Sequence, residues 1–432
     1  MSPFNSFHRI YKALFHAIVC HNRIVQFVCI ALCAFLLGTF QSNAQKAYKP
    51  IKTNLKAKKY SDAIKQIDKL SKDSDFANDA KLYVLAIEAN RGLNDAQNMK
   101  LYLKQNYDTL AFFSTTFQIV KNAIKVDSLE NEKKENGSAN TKLLRTAYDN
   151  IHQYMPNIHA AARFFYKKKK YQEALPYLRL CLALPHTPLG QKAHLSTKKD
   201  TINAVLFLCS AYNIGAYAEM AQYASLALAE KKARPTIIEN LALAAKAQND
   251  TTTYKKWLLE GWNSYPNLPF FFTHLVDFYN EYKQYSRTLS TAQKQLLSDS
   301  LHTAAHLAQC VAYYEMQRYD SCIVNAERIL SADSLNAEAH YYKGAAYIGQ
   351  VKQIVMPEKI TSPQYKQALN KRQKLYSLAE PELEAYRKLA PEAIQLWGTM
   401  LYQTYYALNR GQKFAEIESL LEKYSKTLGK AK

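Results

Sequence analysis

Glycine and proline are scarce in this chain, with 11 and 13 residues among 432. Folds built from many strands need both residues at their tight turns, so the scarcity argues against an all-β protein. A phosphate-binding loop needs closely spaced glycines, and the sequence has no such run. Signatures of a nucleophile elbow or a zinc site are missing as well. These absences predict a non-enzymatic protein without a cofactor or a metal site.

Cysteine is also scarce, since three of the seven cysteines lie within the first 44 residues. Four cysteines in the rest of the chain are too few for a disulfide framework, so any bridge would be a local one. The four are Cys181, Cys209, Cys310 and Cys322.

The amino terminus has the layout of a secretory signal. Three basic residues precede the apolar run Ile24–Phe40, and the small residues Ser42 and Ala44 follow it. The layout predicts a signal peptide over residues 1–44, cleaved after Ala44. An uncleaved membrane anchor is the alternative, because the run is borderline in length for a membrane span. In both cases we expect the body of the chain to be exported, in the periplasm or cell envelope.

Basic residues outnumber acidic ones. Without residues 1–44 the chain keeps 54 of its 57 basic residues against all 36 acidic ones, a surplus of 18. For an exported chain we expect no nucleic-acid partner; phosphorylated lipid, acidic glycan or an acidic protein patch would suit the charge. The simpler interpretation is that lysines solvate the outer faces of helices.

A 34-residue repeat organises the chain. Similar segments place Leu208, Ala242, Val276, Cys310 and Gly344 in equivalent positions, separated by this constant interval. Every unit has two apolar stripes at helical spacing, separated by a short polar turn. Such a unit has too little apolar surface to fold alone and must stack on its neighbours.

The repeat resembles the tetratricopeptide repeat. The clearest unit is "AARFFYKKKKYQEALPYLRLCLALP", with Ala162, Phe165, Tyr171, Ala174 and Cys181 at the positions that define the family. The resemblance implies an all-α fold, an α-solenoid of about nine or ten helix-turn-helix hairpins in a right-handed superhelix. We expect degenerate hairpins over 45–156, a regular array over 157–350, a basic insertion over 351–375, and a C-terminal hairpin with capping helices over 376–432. Two smaller insertions are expected, 127–141 with a loop at Asn136 and Gly137, and a loop over 185–200.

The resemblance also implies a binding surface, because the first helix of each hairpin lines the concave face in this family. A protein or peptide partner is therefore expected there. The long insertion is a second expected contact, with a helix-extending decoration as the alternative. Expected partner-binding residues are His159, Arg163, Tyr166, Lys167, Asp277, Asn280, Glu281, Tyr314, Glu315 and Tyr341, and those of the insertion are Lys366, Lys371, Arg372 and Lys374.

Asp followed by Ser or Thr recurs near unit boundaries and has two interpretations. It is similar to the acceptor signal for O-glycosylation of exported proteins in some Gram-negative bacteria. Alternatively, Asp at such a boundary caps the following helix by accepting its free backbone N–H groups. The candidate acceptors are Thr109, Ser128, Thr201, Thr251, Ser300 and Ser334.

Cys310 and Cys322 occupy small-residue positions on the two helices of one hairpin. They are predicted to be a small apolar pair, or to form a disulfide if their Cβ atoms lie close enough. His302 and His306 are one helical turn apart, but no carboxylate completes a metal site, so packing roles are expected.

Two functions follow from these observations. The first is an exported, non-enzymatic scaffold that binds a protein or peptide in the cell envelope. The second is an envelope glycan or anionic-lipid binding protein that uses its basic surface and the 351–375 insertion. Membrane association is further expected if the N-terminal segment is not cleaved.

Overall fold

A computed structural model describes residues 46–134 and 139–430 of the chain. Within these ranges the ordered elements are helices, and no residue lies in a strand. The predicted all-α fold is therefore confirmed. In the described ranges, no helix combines the length and apolar character that a membrane span requires.

The helices are numbered here in chain order. They are α1 (residues 46–56), α2 (Tyr60–Leu70), α3 (Ala80–Tyr102), α4 (Thr109–Lys134), α5 (Thr141–Lys167), α6 (Tyr171–Ala183), α7 (Pro188–Lys192), α8 (Asp200–Asn213), α9 (Tyr217–Leu228), α10 (Arg234–Ala247), α11 (Thr251–Ser264), α12 (Pro269–Glu281), α13 (Tyr285–Ser298), α14 (Thr303–Glu315), α15 (Tyr319–Ala332), α16 (Ala337–Gln353), α17 (Pro363–Leu389), α18 (Ile394–Ala407) and α19 (Gly411–Lys430).

Apart from the short α7, the helices of the described ranges follow one another as nine pairs, which agrees with the predicted nine or ten hairpins. The period is visible in their starting points. The second helices of four successive pairs begin at Tyr217, Thr251, Tyr285 and Tyr319, which are separated by the constant interval of the repeat. The tetratricopeptide-like pattern predicted from the sequence is thus the pattern of the helices.

The turns between paired helices share one backbone conformation. Gly215, Asn249, Lys283 and Gln317 occupy equivalent places in successive repeats, and all have a positive φ, between 53° and 76°. At each of them, the following amide bonds back across the end of the first helix, as Arg318 N does to Tyr313 O at 2.8 Å. A left-handed residue there ends the first helix and turns the chain into the second.

The chain divides into two compact units, one up to Ile237 and one from Ile238 onward, with the division inside α10. In the first unit, one cluster of the core joins α1, α2 and α3 through buried residues such as Ile51, Ile67 and Leu82. In the second, one cluster joins α14, α15 and α16, and another joins α16 to α19. Each core is built from neighbouring hairpins, as expected of a stacked array.

The first expected insertion is smaller than the sequence suggests. Residues 127–134 continue α4 and do not form a loop, because Val126 and Leu129 extend its buried apolar stripe. Asn136 and Gly137 lie outside the described residues.

The other insertions are partly helical. Residues 185–200 include a 3₁₀ turn, Leu184–His186, and the short α7, so this segment is a folded connection and not a plain loop. The long insertion lengthens α16 to Gln353 and starts α17 at Pro363, leaving 354–362 as the connecting turn. The expected boundary between 156 and 157 lies inside the continuous helix α5.

Candidate functional site

The candidate site lies in the second unit, on the first helices of its hairpins. α12 contacts α14, and α14 contacts α16, although each pair is separated in sequence by a second helix. Neighbouring first helices therefore form a continuous surface. The residues predicted for this unit lie on these first helices, and their role in partner binding stays a prediction.

The sequence starts these helices with local caps. The His302 ring nitrogen Nδ1 accepts the amide of Ala305 at 3.1 Å, and the Asn336 side chain accepts the amide of Ala339 at 3.0 Å. Small residues, among them Cys310 and Ala346, are fully buried and let the helices approach closely. The larger tyrosines are consequently placed toward the edge of the packed core.

Five tyrosines form a continuous chain of ring contacts across α14 to α17, here called the tyrosine row. Tyr319 contacts Tyr314, with ring centroids 5.7 Å apart, and Tyr314 contacts Tyr342 at 6.0 Å. Tyr342 contacts Tyr341 at 5.0 Å, and Tyr341 contacts Tyr386 at 5.1 Å. Tyr386 is buried, while the other four are half-buried. The row thus offers partly exposed aromatic edges that pack against one another and, at Tyr341, against a buried ring.

One carboxylate lies at the edge of the row. Glu315 is exposed, and its Oε2 accepts the hydroxyl of Tyr285 at 3.3 Å. Burial raises the pKa of Tyr341 to about 12, with smaller contributions from Tyr314, Tyr386 and Glu315. Burial also raises the pKa of Tyr314, with contributions from Tyr319 and Glu315. The hydroxyls of the row therefore stay protonated at neutral pH and can donate hydrogen bonds.

The residues predicted on α12 fall into two groups. Asp277 and Glu281 are exposed. The pKa of Tyr254 is raised to about 12, mainly because Tyr254 is buried and to a smaller extent by the negative charges of Asp277 and Glu281. Asn280 is half-buried, and its Oδ1 accepts the hydroxyl of Thr288 on α13 at 2.7 Å. Asn280 consequently ties together the two helices of its hairpin, whereas the two carboxylates face water.

The four residues predicted in the first unit lie on α5 and are unequally accessible. Arg163 and Lys167 are exposed, while Tyr166 and His159 are half-buried. The Tyr166 ring packs on Tyr171, with centroids 5.7 Å apart. The pKa of His159 is lowered mainly by burial and to a smaller extent by the positive charges of Lys199 and Arg163. The structure does not gather these side chains into a row like that of the second unit.

The four basic residues predicted in the insertion all lie on α17. Lys366, Lys371 and Lys374 are exposed, and Arg372 is half-buried.

Cys310 and Cys322 are fully buried free thiols at the contact of α14 and α15. Cys310 Sγ donates to the carbonyl of Cys322, and Cys322 Sγ donates to the carbonyl of Tyr342, both at 3.6 Å. A hydrogen bond with Cys322 and then burial raise the pKa of Cys310. The disulfide stays a prediction.

The Asp residues of the Asp-Ser/Thr pairs have different roles. The Asp250 side chain caps α11 by accepting the amide of Thr253 at 3.0 Å, and Asp108 accepts that of Ala111 at 2.9 Å. Asp127 is instead buried inside α4, so the capping interpretation is wrong there. Of the six candidate acceptors, four are exposed and two are half-buried. The exposed ones are Ser128, Thr251, Ser300 and Ser334, and the half-buried ones are Thr109 and Thr201.

Of the two histidines one helical turn apart, His306 packs in the interior, whereas His302 caps α14. His306 is buried, with Nδ1 3.1 Å from Asn325 Oδ1 and Nε2 3.0 Å from the Ser300 carbonyl. His340, one repeat later, has the equivalent contact with the Ser334 carbonyl at 3.1 Å. No group of three or more potential metal ligands occurs in the described part of the chain.

Three members of the tyrosine row were not expected to bind a partner. Tyr319 has a clear place in the repeat, but that place does not indicate a surface role. Tyr342 directly follows the predicted Tyr341, and two adjacent tyrosines were the sequence feature that could have indicated a second surface ring. Tyr386 follows the long insertion, which breaks the 34-residue register and hides its relation to the row.

No family model and no curated protein matches the chain. Among solved structures it is similar to MamA residues 41-end from Desulfovibrio magneticus RS-1, with 16% identity, a TM-score of 0.34, and coverage of 45% of this chain and 96% of that one. The P58(IPK) TPR domain has 12% identity, a TM-score of 0.28, and coverage of 86% and 99%. Yeast Tom70 has 13% identity, a TM-score of 0.29, and coverage of 88% and 89%. Similarity this distant carries no argument about a partner.

Proposed function

We propose that this chain is an exported, non-enzymatic scaffold that binds a protein or peptide partner along α12, α14 and α16. The tyrosine row is the observation that carries the proposal. Its four half-buried rings are linked through centroid distances of 5.0 to 6.0 Å, and Tyr341, at one end of this chain of contacts, packs against the fifth, buried ring of Tyr386.

Tyrosines arranged in this way suit protein recognition. Each ring offers a large apolar surface and a hydroxyl that hydrogen-bonds, and little side-chain entropy is lost on binding because the rings are already fixed. The exposed carboxylates Asp277 and Glu281 on α12 and Glu315 on α14 add negative charge to the proposed surface. The proposed partner segment is therefore apolar or aromatic with basic residues beside it.

The chemistry of the row favours binding over catalysis. A general base or nucleophile works best with a pKa near neutral pH. Burial moves the pKa of Tyr341 away from that range, to about 12. We propose that these hydroxyls donate hydrogen bonds to a partner and do not transfer protons.

Export is part of the proposal and is supported by the sequence alone. The basic residues before Ile24–Phe40 and the small residues Ser42 and Ala44 support a cleaved signal, and an uncleaved anchor would leave the scaffold attached to a membrane. The proposed location is the periplasm or cell envelope.

The test reverses one charge on α12 and one on α14 and leaves the packed tyrosines intact. Tyr→Ala changes would loosen the fold, because Tyr314 and Tyr341 pack against other rings. The variant is therefore Glu281→Lys with Glu315→Lys. The purified chain is used to capture a protein from envelope extract, and the affinity of the captured protein is measured by calorimetry. Each reversal at the edge of an interface is expected to weaken binding about fivefold or more.

The matched control is Glu418→Lys with Glu422→Lys, which adds the same charge to α19, a second helix. Both of these carboxylates are exposed. The control variant should keep the affinity of the unmodified chain. Equal affinity of the two double variants for the captured protein would contradict the proposed site. If the captured protein binds the chain equally well after the chain has been unfolded, the proposal of a folded scaffold is contradicted.

A further inference from the structure

The insertion builds an arm that projects beyond the packed core. α17 has 27 residues, whereas α14 and α15 have 13 and 14. The buried residues of α17 begin only at Tyr376, and no residue from 352 to 375 is buried. This segment, 352–375, is here called the basic arm, and it includes the turn 354–362 and the part of α17 that precedes Tyr376. At 1.5 Å per residue, that part of α17 is about 20 Å long.

The basic arm has a strong charge of one sign. It contains six basic residues and one acidic residue, Glu358. Five of the six are exposed and Arg372 is half-buried. In the described ranges, none of the six forms an ion pair with a carboxylate. The six are Lys352, Lys359, Lys366, Lys371, Arg372 and Lys374.

The turn of the basic arm also exposes apolar side chains. Val355 is 89% exposed and Ile360 is 71% exposed. Exposed leucines also occur at other turns. Leu301 and Leu335 each lie two residues after an aspartate, and the carboxylates of Asp299 and Asp333 accept hydrogen bonds from their backbone amides. Two other described turns of the second unit also place an exposed apolar side chain near a basic one, Tyr282 near Lys283 and Met316 near Arg318, but Tyr282 and Met316 are only 46% and 37% exposed.

We propose that the basic arm docks on the surface of an anionic phospholipid bilayer. Val355 and Ile360 enter the boundary between headgroups and acyl chains, and the surrounding lysines contact lipid phosphates. Segments with apolar side chains beside Lys and Arg bind at this depth. Each basic residue near an anionic surface strengthens binding about fivefold. An acidic polysaccharide would satisfy the charges and leave the two apolar side chains in water, so the bilayer explains both features.

The proposed docking is independent of the protein-binding surface and of the N-terminal segment. The experiment uses the full chain with Val355→Trp, and Leu335→Trp as the matched control, since Leu335 also lies at a turn and is 71% exposed, against 89% for Val355. Vesicles contain phosphatidylcholine with bromine on the acyl chains, with or without phosphatidylserine. Bromine quenches only those indoles that reach the acyl region, and residues 1–44 are the same in both variants.

Strong quenching of the indole at position 355 is expected on vesicles with phosphatidylserine, and little at position 335. Adding Lys359→Glu, Lys366→Glu and Arg372→Glu should raise the lipid concentration for half-maximal quenching by about tenfold or more. Added salt should also raise the lipid concentration for half-maximal quenching, because it screens the attraction between the basic residues and the anionic lipid. Circular dichroism should show unchanged helix content in every variant.

Three results would overturn the proposal. One is equal quenching at positions 355 and 335. Another is quenching at position 355 that is equally strong on vesicles with and without phosphatidylserine, which would leave the basic residues without a role. The third is dextran sulfate binding that depends on the three basic residues, combined with no quenching at position 355 on any vesicle. That third result would assign the basic arm to an acidic polysaccharide.

Discussion

At the scale of single residues, burial controls the chemistry of the four cysteines in the described chain. Cys181, Cys310 and Cys322 are 0% exposed and Cys209 is 8% exposed. Burial raises the pKa of Cys181 to about 12; the charge of Arg163 lowers it by a smaller amount, and that of Asp200 raises it. Since the thiolate is the nucleophile, the raised pKa of Cys181, Cys209 and Cys310 protects those three thiols from modification, and burial shields all four.

We expect none of the four to react with iodoacetamide at pH 8 in the folded chain, because all four are buried and because, at Cys181, that pH is well below the pKa of about 12. Unfolding should make them reactive, and peptide mass spectrometry assigns each site. Modification of Cys181 in the folded chain at the rate of free cysteine would contradict this prediction. If Cys310 and Cys322 react after unfolding only when a reductant is added, they are bridged, and otherwise both are free.

At the scale of elements, close contact between α15 and α16 depends on a glycine. A Cβ atom at Gly349 would lie 2.3 Å from Cζ of Tyr319 and 2.4 Å from Cε1 of the same ring. The ring therefore lies directly on the α16 backbone. Tyr319 also belongs to the tyrosine row, so the approach of the two helices fixes one end of that surface.

Gly349→Ala should lower the free energy of unfolding by about 1 to 3 kcal/mol, since the added methyl group overpacks this contact. Gly411→Ala is the matched control, because a Cβ there meets nothing within 4 Å. The control should be neutral or slightly stabilising, since alanine favours helices. Urea titration followed by circular dichroism compares the two, and equal midpoints would contradict the close contact.

Helix number and period at this scale were predictable from the sequence, and helix ends were less so. The 34-residue register anticipates the starts of α11, α13 and α15 because apolar residues recur where helices must pack. The left-handed turns at Lys283 and Gln317 lack the glycine that usually signals them. The continuation of α4 to Lys134 was missed because polar residues surround its last buried positions.

At the scale of the whole molecule, processing determines which chain carries the two proposed surfaces. Cleavage after Ala44 would remove the apolar run Ile24–Phe40, so the basic arm would then be the proposed means of membrane contact. Without cleavage, the same run would hold the chain at a membrane whether or not the basic arm binds lipid.

The mass of the protein purified from its native host should correspond to residues 45–432, with added hexose or related sugar if any Asp-Ser/Thr site is modified. A signal peptide is removed during export, which is the reason for the expected loss. A mass equal to the full 49.4 kDa chain would contradict cleavage. Replacing the four exposed acceptors by Ala should remove any excess mass, and an unchanged excess would place the modification elsewhere.

The sequence by itself determined the all-α class, the 34-residue period and the first helices that carry the predicted partner-binding residues, because helix packing imposes a spacing that apolar residues must follow. The tertiary structure alone decided which of those residues are accessible. It joined Tyr314 and Tyr341 to Tyr342 and Tyr386 across three helices, and it engaged Asn280 with Thr288. Such contacts depend on side-chain direction between helices, which spacing along one chain does not specify.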